Sequence, residues 1–112
     1  MSADLTHKKC TPCEGSTPPL TKEKAEELLK QVSEWKITDS GKKITRTFTF
    51  ANFVESVDFI NKIKDVAEGE NHHPDLHLHS YKNVTVDLMT HAIKGLSEND
   101  FIVAAKIDAL PQ

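Results

Sequence analysis

From Phe53 onward the apolar residues Phe53, Val57, Ile60, Ile63 and Ala67 recur at spacings of four, three, three and four, the stripe of an amphipathic helix. On both sides of that stripe the period drops to two. Ile44, Phe48 and Phe50 share one side of an alternating run, Leu76 and Leu78 alternate with His77 and His79, and Val84, Val86 and Leu88 share one side of a further run. A chain that switches period in this way has little choice of class. Strands come in pairs, separated and flanked by helices, which is an α+β fold in the order α-β-β-α-β-β-α.

The remaining elements follow from local signals. Thr21 caps a first helix that carries Glu23 in its first turn and Ala25, Leu28, Leu29 and Val32 on one face, and that ends near Glu34. The run 35–38 reads as a strand, and Asp39-Ser40-Gly41 supplies the turn of a hairpin. Gly69 is the stop signal of the central helix, which puts Glu68 in its last turn, where an acidic side chain opposes the macrodipole. Tyr81-Lys82-Asn83 reads as the second turn. Gly95-Leu96 breaks the chain before Ser97-x-x-Asp100, a capping box that opens the last helix and explains Asp100 structurally. In that helix Phe101, Ile102, Val103, Ala104, Ala105 and Ile107 are apolar on more than one side, which predicts burial beyond one sheet face, with a subunit interface as the cover.

At 112 residues the chain holds one domain, expected over 20–112, after a flexible arm over 1–19 that is rich in Thr, Lys, Pro and Gly. Its 14 basic and 17 acidic side chains give a net charge of -3 without a basic stripe, which argues against a direct nucleic-acid partner. No apolar stretch approaches the ~20 residues of a membrane span, and the first residues lack the regions of a signal peptide, so a cytoplasmic protein is expected. Cys10 and Cys13 form a C-x-x-C with His7 nearby. Half a zinc site and a redox pair are both conceivable, but no second cysteine pair completes the first and no βαβ pattern surrounds the second, so reduced thiols are expected.

The chemistry concentrates between Glu68 and His91. Glu68, the run Asn71-His72-His73-Pro74 and the pair Thr90-His91 supply three imidazoles, a set suited to proton transfer. An unperturbed imidazole pKa of roughly 6.5 lets one ring accept a proton while another donates one near neutral pH. His72 and His73 point in different directions if the backbone is extended, and Pro74 biases His73 that way. His91 has the opposite parity to Val84, Val86 and Leu88, so a strand persisting that far frees it from the core face. The plainer reading makes His-His-Pro a helix-to-strand connection with exposed rings, and His77 and His79 read as solvated strand residues. A metal site drawn from His72, His73, His77, His79 and His91 is disfavoured, because adjacent residues rarely ligate one ion and the strand residues diverge.

Over the span from Leu20 to about Ala109 the chain resembles the pterin-4a-carbinolamine dehydratase family, which also includes a dimerisation cofactor of a homeodomain transcription factor. The residues that carry the resemblance are Glu68, Asn71-His72-His73-Pro74, Tyr81, Val84, Thr90-His91, Gly95-Leu96 and Asp100, with Asn99-Asp100-Phe101-Ile102 similar to bacterial members. The resemblance implies a four-stranded antiparallel sheet carrying helices, a homodimer or homotetramer, and no metal or organic cofactor. It also implies dehydration of 4a-hydroxytetrahydropterins to quinonoid dihydropterins in tetrahydrobiopterin recycling, with an aromatic amino-acid hydroxylase as a pathway partner. By the same resemblance His72 and His91 are the general acid/base pair, and His73 binds and orients the pterin. The backbone around Thr90 and the residues after His91, Ala92 and Ile93, hold the ring edge beside Pro74, while Glu68 and Asp100 support the site. Two departures stand out: Leu76 occupies a position where the animal form has tryptophan, and the stretch between Pro74 and Tyr81 is one residue longer, room for a β-bulge. The alternative function is a non-enzymatic protein-binding module, motivated by the apolar last helix.

Overall fold

A computed structural model describes residues 5–11, 18–38 and 40–111. Cys13 and Asp39 lie outside the described residues. The elements are α1 (Lys22–Leu29), β1 (Lys36–Thr38), β2 (Lys43–Thr49), α2 (Phe53–Glu70), β3 (Asp75–His79), β4 (Asn83–Leu88) and α3 (Glu98–Asp108), with 3-10 turns at Leu5–His7, Lys30–Val32 and His91–Ile93. Their order is the α-β-β-α-β-β-α of the periodicity. The four strands form one antiparallel sheet in the order β1-β2-β4-β3.

The helices cover one face of that sheet. Ile44, Phe48, Val84, Val86 and Leu88 point into the core with Leu76 and Leu78 packed against them, while Thr47, Thr85 and His77 lie in one row of the opposite, polar face. His79 there shares a 2.9 Å hydrogen bond with Thr85, and His77 lies 3.3 Å from Asp87. The pairing of β3 with β4 runs unbroken from Asp75 opposite Asp87 to His79 opposite Asn83, so no bulge interrupts it. Instead residues 80–82 make the turn, with Ser80 and Tyr81 at positive φ, and Asn83 already belongs to the strand. In the first hairpin Gly41 takes φ 87°, a conformation that a residue without Cβ adopts at no steric cost.

The buried face of α2 is displaced from the stripe expected of it. Ser56, Phe59, Ile63 and Ala67 face the core, whereas Phe53 is 53% exposed. The aromatic residues explain the rotation: Phe59 packs against Phe48 at 4.8 Å and Phe50 at 5.0 Å between ring centroids. Ser56 tolerates the core because its hydroxyl donates to the Asn52 carbonyl one turn back.

Two further expectations are corrected. The apolar faces of α3 need no second subunit, since Phe101, Ile102, Val103, Ala104 and Ile107 are all buried within the single chain. Around α3 pack α1, α2 and the turns at Leu5–His7 and Lys30–Val32. The covering turn at Leu5–His7 belongs to the arm, which is docked where residues 5–11 are described: Leu5 is 1% exposed and lies in the main hydrophobic cluster. A long apolar side chain in an otherwise polar segment completes the cover that α1, α2 and the turn at Lys30–Val32 give to α3. At the far end of α3, Asp108 accepts from the Trp35 indole at 2.9 Å and from Arg46 at 2.7 Å, which ties the helix to β2. No helix among the described residues is long and apolar enough to cross a membrane.

Candidate active site

The end of α2 aims the first histidine. The helix runs through Gly69, and the stop signal is Asn71, which takes φ 52° and ψ 41°. Asparagine tolerates that left-handed conformation better than most side chains. The Asn71 N–H bonds back to the Glu68 carbonyl and the His72 N–H to the Ala67 carbonyl at 3.2 Å, a Schellman closure that pins His72 to the helix it leaves.

The start of α3 supplies its partner. Asp100, 0% exposed, divides its carboxylate. Oδ2 accepts the Ser97 N–H and the Thr90 hydroxyl, both at 2.9 Å, and so closes the capping box. Oδ1 lies 2.7 Å from His72 Nε2. Carboxylate oxygens only accept, which assigns a hydrogen to Nε2 and leaves Nδ1 as the other face of the ring. The neighbouring histidine behaves differently: His73 is exposed and its Nε2 lies 2.6 Å from Glu68 Oε2.

His91 follows β4 but not as a strand residue. The strand stops at Leu88, Thr90 forms an isolated bridge with Gly95, and His91 opens a 3-10 turn. His91 is exposed for that reason, not by strand parity. Gly95 permits the close approach of Pro19, whose Cβ would lie 2.9 Å from any Cβ added there.

These elements border an open cavity of about 500 Å³, a size that suits a bicyclic ligand. His72, His73, Thr90, His91 and Ala92 line it. The other expected residues stand elsewhere. Asp100 is buried behind His72, Ile93 is buried, and Glu68 and Pro74 border a separate hollow with Ile63 and Leu76. The Thr90 backbone is committed to Gly95 and Ile93, so it is not available to hold a ligand edge.

Several lining residues were not anticipated, notably Lys9, Cys10, Thr11, Glu70 and Asn99. Asn99 sat inside the motif at the start of the last helix, and Cys10 and Thr11 inside the C-x-x-C, but neither motif pointed to this cavity. Burial disfavours ionisation of Glu70, but the Lys106 ammonium at 2.6 Å and the Cys10 N–H at 2.8 Å outweigh it and hold the carboxyl below its ordinary pKa. Burial, reinforced by the Glu70 charge, pushes the Cys10 thiol up to about 12. A thiol protonated at neutral pH is a poor nucleophile and a poor metal ligand.

Residues 18–110 match the family described as pterin 4 alpha carbinolamine dehydratase. The chain belongs to that family. A Methylococcus capsulatus protein provisionally named as a pterin-4-alpha-carbinolamine dehydratase is 49% identical over 97% of this chain and 95% of its own length. The Arabidopsis thaliana protein named pterin-4-alpha-carbinolamine dehydratase 2, mitochondrial, is 43% identical over 96% of this chain and 59% of its own length. Among solved structures, a transcriptional coactivator/pterin dehydratase from Brucella melitensis superposes with a TM-score of 0.76 at 33% identity, covering 81% of this chain and 96% of its own.

Proposed function

We propose that the protein dehydrates 4a-hydroxytetrahydropterins to quinonoid dihydropterins by histidine general acid/base catalysis, with His72 and His91 as the proton carriers. In the reaction N5 loses its proton, the C4a–O bond breaks, C4a=N5 forms, and the hydroxyl leaves protonated as water. The N5 lone pair already drives that departure, so two positioned proton transfers supply what is needed, each worth typically 10²–10⁴-fold.

One observation carries the reading: a cavity of pterin size is lined by three histidines, His72, His73 and His91, the first of them backed by a fully buried carboxylate. Asp100 behind His72 stabilises the imidazolium that forms when Nδ1 takes a proton, as a buried carboxylate does for the histidine of a catalytic triad. That favours His72 as the base toward N5 and leaves His91 as the acid toward the hydroxyl. His73, steadied by Glu68, orients the pterin at the rim. Ring-edge binding falls to His91 and Ala92 rather than to Thr90, whose backbone is already spent.

The physiological setting that goes with this chemistry is tetrahydropterin recycling in the cytoplasm, supplied by an enzyme that leaves the 4a-carbinolamine, such as an aromatic amino-acid hydroxylase. Homo-oligomerisation belongs to the same proposal.

The test is the rate of dehydration of 4a-hydroxytetrahydrobiopterin generated in situ. Wild type accelerates it, and His72→Ala or His91→Ala lowers kcat by roughly 10²–10⁴-fold with the fold intact. No acceleration by folded wild type would leave the partner-binding module as the better account.

A further inference from the structure

Residues 9–11 stand at the cavity wall, yet nothing in the acid/base scheme uses them. They are seated from both sides. Asn99 grips the peptide of Thr11 in two directions, its Oδ1 accepting the Thr11 N–H at 3.0 Å and its Nδ2 donating to the Thr11 carbonyl at 2.6 Å. Glu70 accepts the Cys10 N–H, the Cys10 thiol donates to the Asn99 carbonyl at 3.7 Å, and the Lys9 ammonium donates to the Gly69 carbonyl at 3.4 Å. One residue further back, Lys8 pairs with Glu98 at 2.7 Å.

The anchors are not scattered. Gly69 and Glu70 are the last turn of α2, one step before the Asn71 cap that aims His72, and Glu98 and Asn99 are the first turn of α3, one step before the Asp100 that holds it. The same two helix ends therefore hold both the base and the strap of residues 9–11, and all of them line the cavity. A two-point peptide grip from a buried asparagine is more than a tether needs, since Leu5 already anchors the arm in the core.

We propose that residues 9–11 are a wall of the substrate site and that Asn99 is a positioning residue, acting through this strap on substrate affinity and not on the proton transfers. The proposal rests on the dehydratase reading of the cavity. Pterin binding against a seated strap loses less conformational freedom than binding that must order the strap first, so freeing it weakens binding.

The experiment compares kcat and KM for 4a-hydroxytetrahydrobiopterin in wild type, Asn99→Leu, Asn99→Asp and Thr11→Pro. Asn99→Leu removes both bonds, Asn99→Asp keeps only the acceptor, and Thr11→Pro deletes the N–H without touching α3. Asn99→Leu and Thr11→Pro should raise KM about fivefold or more with kcat within about twofold, and Asn99→Asp, which sets a carboxylate oxygen against the Thr11 carbonyl, should raise it at least as far. Trp35→Phe, which loses the bond to Asp108 away from the cavity, controls for lost stability: its melting temperature falls while KM stays. An unmoved KM in folded Asn99→Leu or Thr11→Pro, or a loss confined to kcat, overturns the proposal. Absence of turnover in wild type instead overturns the dehydratase reading beneath it.

Discussion

Asp100 makes one side chain serve two ends, closing the first turn of α3 with Oδ2 and orienting His72 with Oδ1. The Ser97-x-x-Asp100 spacing announced the first duty, and taken alone it explained the residue completely. The second was legible only through the family resemblance, because His72 and Asp100 are 28 residues apart and meet through the fold. The two duties separate experimentally. Asp100→Ala strands the buried Ser97 N–H and the His72 ring N–H, and should cost about 2–4 kcal/mol in urea unfolding along with most of the activity. Asp100→Asn keeps an acceptor for the cap and should recover much of the stability, yet its amide carries no charge for the imidazolium, so activity should stay at least about tenfold down.

At the scale of elements, periodicity located the central helix and most of the strands, because one buried face per element leaves a mark at period 3.6 or 2, while caps and turn residues located the first and last helices. What it missed were rotations and ends. The α2 face turned toward Phe59 because Phe48 and Phe50 of the neighbouring strand segment offered it aromatic surface, a contact no local pattern contains. The same helix ended at Asn71 rather than Gly69, since a glycine can remain helical and an asparagine can take the left-handed cap. Running past Gly69 is what brings Glu70 to Cys10 and Lys106. Glu70 has a folded pKa below its ordinary 4.5, so its contribution is fully present above that value and is lost as pH falls through the lowered one. Glu70→Gln should therefore flatten the acid side of the stability profile, measured as urea midpoints between about pH 3 and pH 6. An unchanged slope would show that the Lys106 and Cys10 contacts of Glu70 add no stability.

Across the whole molecule the arm and the domain share one core. The apolar faces of α3 suggested a second subunit because a helix buried on several sides looks unpaired when only one sheet is counted. The missing cover was α1, α2, the turn at Lys30–Val32 and Leu5, the last supplied by a segment whose composition read as loose. Such docking leaves little trace in sequence, since a single leucine among polar residues has no period. Leu5→Ala should cost about 2–4 kcal/mol of unfolding free energy, as for a core position, where a loose arm would show no change.

The account stands or falls on His72 and His91 working on the same substrate in one cavity, and turnover of His72→Ala, His91→Ala and the double variant, against wild type, tests that most directly. Groups that act as a unit lose activity non-additively. Each single variant should fall by roughly 10²–10⁴-fold and the double variant little further. Near-wild-type turnover in either single variant, with the protein folded, would contradict the account.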